Sequence, residues 1–252
     1  MRRLAWIVLS LAACGSSSHM DTPPDMASAA RCTMPVAPTC TDAQIQDLTL
    51  FKTASTKTIA STPTGTTFAS EIDATGGAGT GITPRESYVY AKFTDQGLAQ
   101  VAIGDEAAFN SMEWDLAFRR FIIRLNSGVS GPSCVDAART AANTDFDTLA
   151  AEPAGLDYRT EQYYSSACDL VPDGSGLGSP GTALQSFWQY PGCLQMTGNV
   201  FVVRLASGRK VKLTVTHYYE QAVQDYCDAN DMIMMSDASK AAHVGVRWAF
   251  LP

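Results

Sequence analysis

Thiols, phenols, thioethers and imidazoles are the side chains of this chain that could do chemistry, and their spacing narrows that chemistry quickly. The 252 residues hold seven cysteines, nine methionines, nine tyrosines and three histidines. No cysteine pair has CxxC spacing and no histidine sits at ligand distance in sequence from a cysteine, so a structural zinc site is not expected. No G-x-S-x-G elbow, P-loop or HExxH occurs, and Gly174-Ser175-Gly176-Leu177-Gly178 has neither the dinucleotide pattern nor a βαβ setting. A carboxylate pair such as Asp145 and Asp147 has the character of solvated acids in a loop or short helix. The expected protein is therefore not an enzyme. Two kinds of chemistry remain: ligation by isolated donors and cross-linking by thiols.

The odd cysteine count is explained at the amino terminus. Met1-Arg2-Arg3 is a basic start, Leu4 to Ala13 is an apolar stretch, and small residues follow, which are the parts of a secretory signal. The run is too short to span a bilayer. Leu11-Ala12-Ala13-Cys14 has the form of the bacterial lipobox, in which cleavage before the cysteine leaves a thiol that receives a diacylglycerol. A signal peptide over 1–13 and lipidation of Cys14 are the expectation, followed by a flexible Ser, Pro, Ala and Thr-rich tether over 14–41 and a folded domain over 42–252. Export to the cell envelope, with an anchor in the outer membrane, follows. Acyl chains supply the membrane affinity, so no amphipathic helix is needed.

Six cysteines then remain in a compartment that permits disulfides: Cys32, Cys40, Cys134, Cys168, Cys193 and Cys227. Six thiols allow fifteen connectivities. Closeness in sequence suggests Cys32 with Cys40 and Cys168 with Cys193, leaving Cys134 with Cys227. The formal charge of −7 and pI near 4.9, without a basic stripe, argue against nucleic acid as a partner.

The elements that must position any site read mostly as β-structure. Tyr88, Tyr90 and Lys92 alternate with Val89, Ala91 and Phe93, the period of a strand with two distinct faces. Phe121 to Leu125 reads as a second strand, and 54–81 as short edge strands and loops. Val200 to Tyr218 reads as a hairpin turning at Ser207-Gly208, with Val211, Leu213 and Val215 toward the core and Lys212, Thr214 and Thr216 toward water. A closing strand places Val244, Val246, Trp248 and Phe250 on one face. Short helices are expected over Asp136 to Leu149 and Glu220 to Asn230. Pro172 to Gly181, with four glycines and two prolines, marks a long loop. The fold class is a mostly β, single antiparallel domain with few short helices.

Several motifs on these strands occur together. Tyr88-Val89-Tyr90-Ala91-Lys92-Phe93 precedes Trp114-Asp115-Leu116-Ala117-Phe118-Arg119-Arg120, then Arg124-Leu125-Asn126-Ser127-Gly128 and Ser130-Gly131. In order and spacing the chain resembles the HmuY family of bacterial haem-binding lipoproteins from Glu86 to Pro252. Read from the residues alone, Trp114, Leu116 and Phe118 would share one face of a strand, and Asp115 would pair with Arg119 or Arg120, which is a core motif more than a site. The resemblance implies a β-fold that holds haem between strands and loops at one end.

The ligand set implied by that resemblance does not carry over residue by residue. The better-known family member uses two histidines, which would fall within Tyr158 to Gly192, and that region has none; ungapped counting back from Val200 puts Phe187 at one of the positions. His19, His217 and His243 read as tether or strand-end polar residues. Methionines serve other members, which leaves Met196. Tyr163, Tyr164 and Tyr190 offer phenols that can ligate ferric haem, and Phe187 and Trp188 offer rings to stack on a porphyrin. Two readings follow. One is a lipid-anchored cell-surface protein that binds haem or a porphyrin for capture or storage and hands it to an outer-membrane haem transporter. The alternative is an envelope lipoprotein that uses the same scaffold as a non-haem interaction or structural module.

Overall fold

The computed structural model describes residues 29–78, 83–234, 236 and 240–252. The expected signal, Cys14 and the first half of the tether lie outside the described residues. Twelve strands and three short helices follow: α1 (Thr41–Asp47), β1 (Ile59–Thr64), β2 (Thr67–Asp73), β3 (Val89–Thr94), β4 (Gly97–Val101), α2 (Asp105–Ala108), β5 (Leu116–Arg119), β6 (Ile122–Leu125), β7 (Asp136–Arg139), β8 (Trp188–Gln189), β9 (Gln195–Met196), β10 (Phe201–Arg204), β11 (Lys210–Tyr219), α3 (Gln221–Asn230) and β12 (Ala241–Leu251). Every strand pairing is antiparallel. A six-stranded sheet runs β1-β2-β12-β11-β10-β7, a four-stranded sheet runs β4-β3-β5-β6, and β8 pairs with β9 alone.

The period of two decides how these sheets are covered. Val89, Ala91, Phe93, Leu116, Phe118, Ile123 and Leu125 face inward onto Phe201, Leu213, Val215, Val246 and Trp248 of the larger sheet, forming the main core. The alternate residues Tyr88, Tyr90 and Ala117 face the other way, into a second core closed by Leu48, Leu50, Phe109, Val129, Tyr163 and Tyr164. The four-stranded sheet is thus buried on both faces. Arg119 and Arg124 share the outer face by the same alternation, and both are buried.

Several expectations are corrected here. Trp114 precedes β5 and turns into the second core, donating its indole N–H to the Ala108 carbonyl at 3.1 Å. Asp115 pairs with neither arginine; its carboxylate accepts the Phe93 backbone N–H at 2.9 Å. Asp136 to Leu149 forms no helix. Asp136–Arg139 pairs with β10, and the turns after it carry Phe146 across the outer face of β11, where Lys212 donates to the Phe146 and Leu149 carbonyls at 2.6 and 2.9 Å. Lys212 and Thr214, expected to face water, are buried beneath it. Sheet pairing overrode helix propensity because a free edge of β10 would otherwise go unpaired.

All six expected bridge cysteines are paired, but each partner differs from expectation. The bonds are Cys32–Cys134, Cys40–Cys168 and Cys193–Cys227. Cys32 and Cys40 cannot meet, because the chain between them runs extended along the body and separates them. The far end of the expected tether is therefore stapled to the domain at two points.

Two buried carboxyls set a pH dependence. Burial pushes Glu161 up to about 7, against the backbone N–H groups of Leu125 and Ala183 that it accepts, and pushes Asp115 up to about 6. Their folded values exceed the unfolded ones, so the native state holds the protons more tightly and stability falls as pH rises from about 4 to about 7. Each contributes on the order of 2 to 3 kcal/mol to that slope. Urea unfolding should show a lower midpoint at pH 7.5 than at pH 5, and Asp115→Asn, which keeps the acceptor for Phe93, should reduce the difference.

Candidate functional site

At one end of the sandwich the β5–β6 hairpin closes in two residues, Arg120 and Phe121, with Arg119 registered against Ile122. Arg120 has φ 53, a left-handed conformation costly for a residue with a Cβ, and its backbone N–H donates to the Ala74 carbonyl at 2.6 Å. Residues held this way cluster at functional sites. The turn projects Phe121 between two environments. On one side its ring meets Trp188 at 5.3 Å and Tyr218 at 6.3 Å, both edge to face. On the other it lines a groove of about 300 Å³ with Leu48, Thr49, Pro84, Arg119, Ile122, Leu177 and Pro180.

The Pro172 to Gly181 loop supplies the far wall. Its neck is closed by the Asp173 N–H on the Ser179 carbonyl at 2.8 Å and the Gly181 N–H on the Val171 carbonyl at 2.9 Å. Gly174, Gly176 and Gly178 take positive φ at its tip, which only glycine adopts without strain, and Leu177 is left exposed over the groove. Two larger cavities, each about 390 Å³, open beside Arg159, Thr182 and Gln185, but their linings are mostly hydroxyl, amide and guanidinium groups. The groove beside Phe121 is the apolar one.

The structure sorts the sequence-selected donors into two places. Trp188 and Met196 are opposed across β8–β9, the Trp188 ring meets Phe121, and Tyr190 is exposed two residues on. Phe187 precedes them but is a core residue at 1% exposure, so it offers no face to a ligand. Tyr163 and Tyr164 belong to the second core. The Tyr163 hydroxyl donates to Gln44 at 3.2 Å, and burial pushes its phenol up to about 12, so phenolate is not accessible to it at neutral pH. Tyr164 donates to Asp47 at 3.0 Å behind the groove wall. Both tyrosines hold the fold and leave Tyr190 as the exposed phenol. His217 is buried and bonded to Glu71 at 2.8 Å, although the residue beside it, Tyr218, reaches Phe121.

Sequence reasoning passed over two thioethers. Met232 and Met234 are exposed, directly after Asp231, which packs against Gly192 and accepts from Gln195 at 2.8 Å. The run Met232-Ile233-Met234-Met235 was a compositional signal for them. Among the described residues no cluster of three His, Cys, Asp or Glu could hold a bare metal ion.

A sequence model described as HmuY protein matches residues 84–230, more than half of the chain. The chain belongs to the HmuY family. Similar solved structures include the apo HmuY analog of Tannerella forsythia, at 19% identity over 78% of this chain and 98% of that one, with a TM-score of 0.42. A Bacteroides vulgatus protein assigned as HmuY-like and heme-binding has 14% identity over 79% and 97%, with a TM-score of 0.46. Apo PinO from Porphyromonas gingivitis has 16% identity over 78% and 96%, with a TM-score of 0.39. Among curated proteins none matches. The HmuY match begins at residue 84, so α1, β1 and β2 of this family member lie before it.

The groove is supported from beneath by a buried ion network. Asp105 accepts the Phe51 N–H at 3.0 Å, the Tyr88 N–H at 2.9 Å and the Tyr90 hydroxyl at 2.8 Å, and lies 3.8 Å from the Arg119 guanidinium. Arg119 donates onward to the Thr49 carbonyl at 3.0 Å and to the Leu48 carbonyl. Asp105→Asn removes the carboxylate paired with the buried Arg119 guanidinium, and denaturation should show a loss of about 3 to 5 kcal/mol.

Proposed function

We propose that this HmuY-family protein is a lipid-anchored binding protein of the outer membrane that captures haem or a related porphyrin in the groove beside Phe121, without catalysis. The observation that carries the reading is the position of Phe121, which joins an apolar groove to the rings of Trp188 and Tyr218. A flat macrocycle needs apolar walls, aromatic faces and only one or two axial donors. The donor set fits that demand better than it fits a bare ion. None of the groove-lining residues is an iron donor; Met196, half-buried opposite Trp188 across the Phe121 ring from the groove, is the first axial candidate, with exposed Tyr190 second and Met232 and Met234 behind them, so a ligated macrocycle would extend past Phe121. Arg120 at the groove supplies positive potential toward the carboxylates that such macrocycles carry. Bound haem would supply the iron centre; this chain's residues bind it, orient it and keep water from one face. Transfer to an outer-membrane haem transporter would complete the role.

Haemin titration of the full chain should give a saturable Soret shift. Met196→Ala should weaken it about tenfold or alter the band, with Tyr190→Phe and the Met232→Ala/Met234→Ala pair as the next comparisons. A flat titration under both oxidising and reducing conditions would leave the non-haem envelope module as the reading.

The anchor is tested separately. Residues 1–13 are read as the signal and Cys14 as the lipidated thiol at the head of the 14–41 tether, which the domain holds from Arg31 onward. Mass spectrometry of envelope-extracted protein should find a diacylglyceryl adduct on Cys14, and Cys14→Ala should move the protein to the soluble fraction.

A further inference from the structure

The chain before the HmuY match does more than connect the domain to a tether. Arg31 is fixed at the β10–β11 end: its backbone N–H donates to Ala206 at 2.7 Å and its guanidinium reaches Asp136 at 2.7 and 3.1 Å. From there the strap passes the Cys32–Cys134 bond, the Val36 N–H on the Pro132 carbonyl at 2.8 Å, and the Cys40–Cys168 bond. It then enters α1, where Gln44, fully buried, donates to the Val129 carbonyl at 2.6 Å. The strap therefore runs the length of the domain and ends at Leu48 and Thr49, in the groove. Those two residues face Leu177 and Pro180 across it, and their carbonyls are the ones that Arg119 holds from below. Thr49 keeps φ 50, so the wall is not a relaxed chain end but a shape imposed by its attachments.

We propose that the disulfide-stapled strap is a specificity wall of the porphyrin groove, with Leu48 and Thr49 touching the ligand and the Cys40–Cys168 bond positioning them. This rests on the porphyrin reading above and adds that a segment outside the family match, residues 31–50, decides which macrocycles enter. Arg119 is a positioning residue in this arrangement, since its guanidinium binds the wall and not the ligand. A strap that served stability alone would have its anchoring contacts but would not need to end in the groove.

The test uses the full chain and haemin, read by the Soret band, beside urea unfolding of each variant. Thr49 is exposed and already left-handed, so Thr49→Trp adds bulk to the groove without a buried defect; haemin affinity should fall about tenfold or more. Val36→Trp, at a residue 72% exposed on the same strap but away from the groove, should bind as the unaltered chain does. Cys40→Ser with Cys168→Ser should weaken haemin roughly three- to tenfold while leaving a cooperative unfolding transition. Equal haemin affinity in Thr49→Trp and Val36→Trp would overturn the wall, as would an effect confined to the cysteine pair, which would reduce the strap to a clamp. Absence of any Soret shift in the unaltered chain, with normal unfolding, would instead overturn the porphyrin reading on which the wall rests.

Discussion

Two guanidinium groups buried on the outer face of the four-stranded sheet set the terms for much else in this protein. Arg119 and Arg124 flank the Tyr88 ring at 4.1 and 3.8 Å, and one carboxylate, Asp105, serves the cluster directly. Arg124 reaches it through the Tyr90 hydroxyl, which accepts from the arginine at 2.8 Å and donates to Asp105 at 2.8 Å. Buried charge is costly unless paired and bonded, so a cluster closed against water must find its partners within the protein. The strap provides that closure. Leu48, Thr49 and α1 cover the face, the Leu48 and Thr49 carbonyls each accept one Arg119 terminal N–H, and two disulfides hold the cover in place.

That arrangement also explains where the groove lies. The β5–β6 turn emerges just past Arg119, so the strained Arg120 and the Phe121 ring are carried on a stem whose root is locked by the ion network. The opposite wall is the glycine-rich loop, whose neck is pinned but whose tip carries Leu177 into the open. One wall is thus rigid and one is set on glycines, between an aromatic cluster on one side and two arginines below. The chain enters at the far end of the ten-residue strand β11, about 30 Å from this groove by strand rise.

Much of the β-framework was legible from alternation. The Val200 to Tyr218 hairpin, the β3 strand with two distinct faces and the closing β12 strand all carry a period of two, and each is where that period puts it. Glu220 to Asn230 likewise became α3. Asp136 to Leu149 was misread because its alanines suit a helix and a crowded sheet edge equally well, and only the open edge of β10 decided between them. The water-facing assignment of Lys212 failed for the same reason: the segment that covers it is itself without periodic pattern. Trp114 was misassigned by extending strand alternation two residues past where the backbone stops being a strand.

The six bridge thiols and the β-rich domain were determined by the amino-acid sequence, because composition, strand alternation and a cysteine count are local properties that survive without knowledge of neighbours. The donors in the Tyr158 to Met196 region were visible in the same way, as residue types. Which thiols met, which tyrosines were withdrawn into a core and which residues formed the groove were decided only by the tertiary structure. Those outcomes depend on an extended strap of residues 31–50 crossing the whole domain, and no pattern within the strap encodes what lies beneath it. Tyr163 and Tyr190 look alike in sequence; one is sealed under that strap and the other faces water.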